Sequence, residues 1–189
     1  MMIKPVLTLA AITIAALLAG PTTEALPATN TSVPPTSTST GASSGQTGAL
    51  ISANEYCIFL PPKWGGDIAE NEDRAVAFCN KPIPTAPDAR ILPQGFIKSI
   101  HFVENKENDY VQITGRIDRT KYGLSADDEG GQYDPRAPIG SRCAGYSSFV
   151  QITEPDDQIY CIRCCKDKHD CPTGKSEYGC KDVIDGDYS

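Results

Sequence analysis

The residues with the greatest chemical reach in this chain are its eight cysteines: Cys57, Cys79, Cys143, Cys161, Cys164, Cys165, Cys171 and Cys180. Cys161-x-x-Cys164, followed by Cys171 and Cys180 with His169 nearby, has the residue types of a zinc site, and Cys161-x-x-Cys164 alone those of a redox dithiol. A redox dithiol opens a helix in a βαβ setting, whereas Ile159 to Cys165 reads as a strand. An even cysteine count behind an export signal points instead to structural disulfides, so neither a metal nor a cofactor is expected. Cys164 and Cys165 are neighbours in that strand and face opposite sides, so each is expected to bond a different partner. Spacing does not fix the pairing; the expectation for Cys57 is one of the distant C-terminal cysteines, which would tie the ends of the domain together.

Other chemistries have thinner support. The chain holds two histidines. His101 lies between Ile100 and Phe102 in an expected strand, the setting of a partnered structural residue, and His169 sits in a polar Lys-Asp-Lys-His-Asp loop. There is no Gly-x-Ser-x-Gly elbow and no His-Glu-x-x-His motif, and no two carboxylates are singled out as a glycosidase pair, so no catalytic residue is nominated. The loop Asp127-Asp128-Glu129-Gly130-Gly131-Gln132-Tyr133-Asp134 has carboxylates and glycines of the kind that wrap calcium but lacks EF-hand spacing, and reads as a solvated turn shaped by its glycines. Trp64, between Pro61-Pro62-Lys63 and Gly65-Gly66, is placed on a loop, where an exposed ring would stack on a sugar face; Tyr122 and Tyr133 are expected in other loops. The alternative for the only tryptophan is core packing. Arg163, Lys166, Lys168, Lys175 and Lys181 are interleaved with Asp167, Asp170 and Glu177, as on a solvated face.

These residues need a scaffold, and the chain divides into three parts. Lys4 followed by the apolar run Val6 to Leu18, then Gly20-Pro21 and small residues up to Ala25, has the pattern of a cleaved export signal over residues 1–25. Residues 26–52 carry no charge, aromatic ring or cysteine and are dense in Ser, Thr and Pro: a disordered, O-glycosylated stalk, with Asn30-Thr31-Ser32 as an N-glycosylation acceptor at Asn30. Residues 53–189 hold all the cysteines and the whole formal charge of −7, since Lys4 and Glu24 cancel. That acidic balance disfavours nucleic acid or an anionic membrane as partner. The polar C-terminus and the absence of a later spanning run lead to the expectation of no membrane span in the mature chain.

The expected fold is β-rich, α+β with one short helix: a small disulfide-stabilised antiparallel β domain. Tyr56 to Leu60 is a strand stopped by Pro61-Pro62. Asp67 caps a short helix over roughly 70–79, with Ala75, Val76 and Cys79 sharing a face. Phe96 to Val103 and Tyr110 to Ile117 form a pair around the polar turn 104–109, with Val111, Ile113 and Ile117 alternating with Gln112, Thr114 and Arg116. A second pair spans Ser147 to Thr153 and Gln158 to Cys165.

Several blocks in order carry a resemblance: Tyr56-Cys57-Ile58-Phe59-Leu60-Pro61-Pro62, Ala75-Val76-Ala77-Phe78-Cys79, Pro93-Gln94-Gly95-Phe96-Ile97-Lys98-Ser99 with His101-Phe102, Tyr110-Val111-Gln112-Ile113-Thr114-Gly115, Asp127 to Pro135, Tyr160-Cys161-Ile162-Arg163-Cys164-Cys165, and Gly179-Cys180 to Tyr188. Together they make residues 56–188 resemble a fungal secreted cysteine-rich glycoprotein family, some of whose members are labelled macrophage-activating glycoproteins. The resemblance implies an extracellular fungal glycoprotein and brings no reaction with it. The expected function is therefore a non-enzymatic secreted component at or near the cell surface, with cell-wall polysaccharide or an extracellular protein receptor as partner. The alternatives are a diffusible effector and a small extracellular hydrolase.

Overall fold

A computed structural model describes residues 46–175 and 177–189. The expected export signal, most of the stalk and Asn30 lie outside the described residues. Eleven strands are named here in chain order: β1 (Thr47–Gly48), β2 (Leu50–Ser52), β3 (Glu55–Leu60), β4 (Val76–Cys79), β5 (Arg90–Ile91), β6 (His101–Asn105), β7 (Tyr110–Arg116), β8 (Gly131–Tyr133), β9 (Arg142–Cys143), β10 (Ser148–Glu154) and β11 (Ile159–Cys165). One helical turn, α1 (Cys180–Val183), follows.

The strands form a five-stranded antiparallel sheet in the order β6-β7-β11-β10-β8, a four-stranded sheet β2-β3-β4-β5, and a two-stranded contact β1-β9. The antiparallel expectation holds for the long strands, while β4 with β5 and β1 with β9 are short parallel contacts. The hairpins arise where apolar alternation meets a turn. Asn105 Oδ1 accepts the backbone N–H groups of Glu107 and Asn108, and Asp109 closes the turn in the left-handed region at φ 49°.

The two larger sheets share one core. Ile58, Phe59 and Leu60 of β3 pack with Ile113, Phe149, Tyr160 and Ile162 of the five-stranded sheet, and the rings of Phe59 and Phe149 stack 5.0 Å apart. Gln151, fully buried in β10, links the sheets: its Oε1 accepts the Phe59 N–H at 2.7 Å and its Nε2 donates to the Phe59 carbonyl at 2.6 Å. Paired in this way, the amide costs little to bury.

All eight cysteines are bonded: Cys57 to Cys79, Cys143 to Cys164, Cys161 to Cys180, and Cys165 to Cys171. Cys164 and Cys165 do take different partners, one on each side of β11. Cys164 joins the main core, whereas Cys161 and Cys165 face the opposite side beside Val150, Ile152, Val183 and Ile184. That outer side is covered by residues 166–175 and 177–189, which carry little regular structure and are linked to β11 by Cys161–Cys180 and Cys165–Cys171.

Four expectations are corrected. Cys57 bonds Cys79 rather than a C-terminal cysteine, because β3 and β4 pair with those two residues directly opposite. The helix expected over 70–79 is a single 3-10 turn, Ala69–Asn71, followed by strand β4. Ala75, Val76 and Cys79 fit a helical face and a fully buried strand equally well, and pairing with β3 decides for the strand. Residues 46–52, read as stalk, belong to the folded domain: Ala49 and Leu50 are buried, and Gly48 lies under the Phe59 ring. The acidic loop is solvated only at Asp127 and Glu129. Gly131–Tyr133 forms β8, and Asp128, Gln132, Tyr133 and Asp134 are all buried.

Candidate functional site

Trp64 stands 65% exposed on the loop after β3, the most exposed ring of the described aromatic residues. Pro61 and Pro62 end the strand, and the chain then turns back, with Gly66 N–H donating to the Lys63 carbonyl at 3.1 Å. Gly65 adopts the left-handed conformation, φ 70°, and donates its N–H to the Tyr122 carbonyl at 2.9 Å. This bond ties the tryptophan loop to a second loop that follows β7.

The second loop is a 3-10 turn, Arg119–Lys121, capped by the Asp118 carboxylate, which accepts the Thr120 N–H. Gly123 leaves the turn at φ 67°, and any Cβ there would collide with the Trp64 indole nitrogen. The absence of a side chain is what lets the indole lie against the backbone. Tyr122 lies beneath, buried, with its hydroxyl donating to the Pro61 carbonyl at 2.7 Å. Its ring meets Trp64 at 5.5 Å, Phe78 at 5.3 Å and Phe96 at 6.3 Å. Burial pushes the Tyr122 phenol above its ordinary pKa, with the neighbouring Arg90 opposing. Arg90 sits over the Phe78 ring and donates to the Pro62 carbonyl, at the rim of the same corner.

The result is an indole fixed on one side by Tyr122 and Gly123 and open on the other. Such an arrangement can stack on the apolar face of a sugar ring. Holding the indole in place in advance lowers the ordering cost of binding.

Other residues singled out by type fall elsewhere. Tyr122 and Tyr133 are not surface aromatics: Tyr133 is fully buried in β8 and donates to the Ile68 carbonyl at 3.0 Å. His101, half-buried in β6, lies 3.4 Å from the Asp187 carboxylate, and exposed His169 lies beside Asp167. Asp128 accepts the N–H groups of Ile68 at 3.0 Å and Gly130 at 2.9 Å, so its carboxylate fastens two loops. The cysteines that resembled a zinc or redox set are spread over three different disulfides, and among the described residues no group of His, Cys, Asp and Glu is arranged to hold a metal ion. The residues that hold Trp64 in place, Tyr122 and Gly123, were not evident from the sequence. A Tyr-Gly step closing a polar turn was the only signal for them.

Comparison with known proteins gives two fungal relatives. Over 153 residues the chain is 30% identical to appressorium protein ROW2 of Mycosarcoma maydis, a match covering 68% of this chain and 49% of that protein. Over 95 residues it is 34% identical to appressorium protein ROW1 of the same fungus, covering 47% of this chain and 21% of that protein. The chain thus spans about half the length of the first relative and about a fifth of the second. No protein-family model matches the chain, and no solved structure matches it. The fungal character implied by the sequence resemblance agrees with these relatives, whose names refer to the appressorium.

Proposed function

We propose that this chain is a non-enzymatic, secreted glycoprotein that acts at the fungal cell surface as an interaction module, with cell-wall polysaccharide as its ligand. The observation that carries the reading is the Trp64 corner: an open indole fixed in place by Gly123 and Tyr122 where packing alone would favour covering it. A four-disulfide β domain suits an oxidising, extracellular setting. The likeness to two appressorium proteins favours a place on the surface of an infecting cell. The macrophage-activating label attached to some members of the resembling family fits a surface glycoprotein met by a host.

The second reading is a diffusible effector bound by a protein receptor, favoured by the same appressorium likeness. Fractionating a fungal culture that expresses the full chain separates the two. Retention with the wall is the expected result, and quantitative release into the medium would transfer the assignment to the effector. A panel of polysaccharide and peptide substrates should show no turnover by the oxidised chain; cleavage of any of them would replace the binding role with a hydrolase.

A further inference from the structure

The chain carries a formal charge of −7, yet the segments that meet at the Trp64 corner carry the opposite sign. Residues 61–66, 90–98 and 117–123 hold Lys63, Arg90, Lys98, Arg119 and Lys121 against a single carboxylate, Asp118. Hydrogen bonds bring the three segments together. The Gly65 N–H donates to the Tyr122 carbonyl at 2.9 Å, the Asp118 N–H to the Phe96 carbonyl at 2.7 Å, and the Arg90 guanidinium to the Pro62 carbonyl. The Lys121 stem runs past Gly95, where a Cβ would lie 3.7 Å from its Cε. Lys63 directly precedes Trp64, and Lys121 stands two residues before Gly123, which lies against the indole.

Lys63, Arg90, Lys98 and Lys121 are exposed, and among the described residues none of these cations, nor Arg119, is within ion-pair distance of a carboxylate. Asp118 is engaged by Thr120, whose hydroxyl and N–H both donate to its Oδ1. The hydroxyl bond chiefly holds the Asp118 carboxyl below its ordinary range, and Lys121 and Lys98 add to the effect. Against the burial that raises the Tyr122 phenol, the opposing charge is again a cation, Arg90. Asp67, the next carboxylate after Trp64, is engaged elsewhere: its Oδ1 accepts the Glu70 N–H at 2.9 Å, and its charge acts on Asp128 and Tyr133. Asp88 stands ahead of Arg90 on the exposed connector to β5. Unpaired charges act over about 8 Å at physiological salt, so cations on these tied loops draw in an anionic ligand without touching the ring. Over the rest of an acidic surface the same ligand is repelled.

We infer that the Trp64 corner takes an anionic saccharide, a chain of sugar rings bearing carboxylate or phosphate groups, whose ring face stacks on the indole while its charges are met by the field of the surrounding cations. A neutral saccharide uses the ring face alone and binds more weakly. The inference rests on the glycan reading above and adds to it the charge of the ligand.

The test is titration of the full, oxidised chain with matched pairs that differ in charge: oligogalacturonate against its methyl ester, and a phosphorylated mannose oligomer against the same oligomer without phosphate. Trp64 is the only tryptophan, so indole emission reads the site in the unmodified chain. At low salt the charged member of at least one pair is expected to bind about tenfold more tightly than its neutral partner, and about 1 M salt should remove most of that advantage. The pair that responds tells a uronate ligand from a phosphate one. By calorimetry, Lys63→Gln combined with Lys121→Gln should narrow the ratio about threefold or more, and Trp64→Ala should weaken the charged ligand about tenfold. Equal affinity within both pairs would overturn the inference and keep the neutral glycan platform. Polyglutamate binding as tightly as the charged oligomer, or charged-oligomer binding indifferent to Trp64→Ala, would show attraction to charge alone and overturn it as well. No response to any saccharide would remove the glycan reading with it. The comparison within each pair is made on the unmodified chain and stands even where a variant fails to fold.

Discussion

The Trp64 corner and the C-terminal cap are held by opposite means. The corner hangs on the main core through Tyr122, Phe78 and Phe96, with backbone hydrogen bonds between its loops and no disulfide. The cap over β10 and β11 has a 3-10 turn (Lys168–Asp170), the single turn of α1, a handful of apolar residues, and two disulfides that bind it to β11. Where aromatic rings bury enough surface, packing alone fixes a loop; where they do not, covalent links take over by restricting the unfolded chain. Side chains reinforce the cap afterwards: Gln112 Nε2 donates to the Asp185 carbonyl at 2.8 Å and Thr114 Oγ1 to the Asp187 carbonyl at 2.6 Å.

The sharpest way to break this contrast is to remove a disulfide of the cap and, for comparison, the one that crosses the β3–β4 ladder. Replacing Cys161 and Cys180 together with serine should cost about 2–5 kcal/mol and open residues 166–189 to amide exchange, read by denaturant melts and hydrogen exchange. The same change at Cys57 and Cys79 should leave β3 and β4 protected, since their ladder persists without the bond. Equal loss of protection at both places would contradict the distinction.

The acidic loop offers the next largest effect. Asp128→Ala leaves the Ile68 and Gly130 N–H groups without their acceptor and should cost about 1–3 kcal/mol, measured by urea unfolding. In the corner, Gly123→Ala forces a left-handed alanine, at about 1–2 kcal/mol, and displaces the indole. A changed tryptophan emission at matched foldedness would report the displacement, and an unchanged spectrum would deny that Gly123 positions the ring.

The smallest effect is in pH. Burial raises the carboxyl groups of Asp128 and Glu154 above their ordinary range, despite hydrogen bonds to each that oppose it. The folded chain therefore holds these protons more tightly than the unfolded chain, and stability falls as pH rises from the ordinary carboxylate range, near about 4, through the raised values. Exposed Asp118, Asp167 and Asp187 are held low, chiefly by hydrogen bonds from Thr120, His169 and Ser189 respectively, and act in the opposite sense only at more acid pH. Tm should thus be higher near pH 5 than at neutrality, and Glu154→Gln should flatten that slope. A Tm that rises steadily toward neutrality would contradict the sign.

The same contrast explains what could be read from sequence. Strands β7, β10 and β11 were legible because apolar alternation and polar turns bound them, and the opposite partners of Cys164 and Cys165 follow from the period of two. The Cys57–Cys79 bond was not, because it depends on the register of β3 against β4, and Ala75 to Cys79 carries a pattern common to helix and buried strand. The position of Trp64 on a loop was legible from its prolines and glycines. Its support by Tyr122 and Gly123 was not, since those residues reach it only when loops distant in sequence are tied by the Gly65–Tyr122 hydrogen bond.

The central claim is a glycan-binding surface at Trp64, and the direct measurement is co-sedimentation of the full oxidised chain with insoluble chitin, glucan and mannan beside Trp64→Ala. The variant should keep its stability within about 0.5 kcal/mol, because most of the ring is already in water. Binding to at least one polysaccharide that weakens about tenfold or more in the variant is the expected result. Absence of binding to all three, or binding indifferent to the substitution, would contradict the claim.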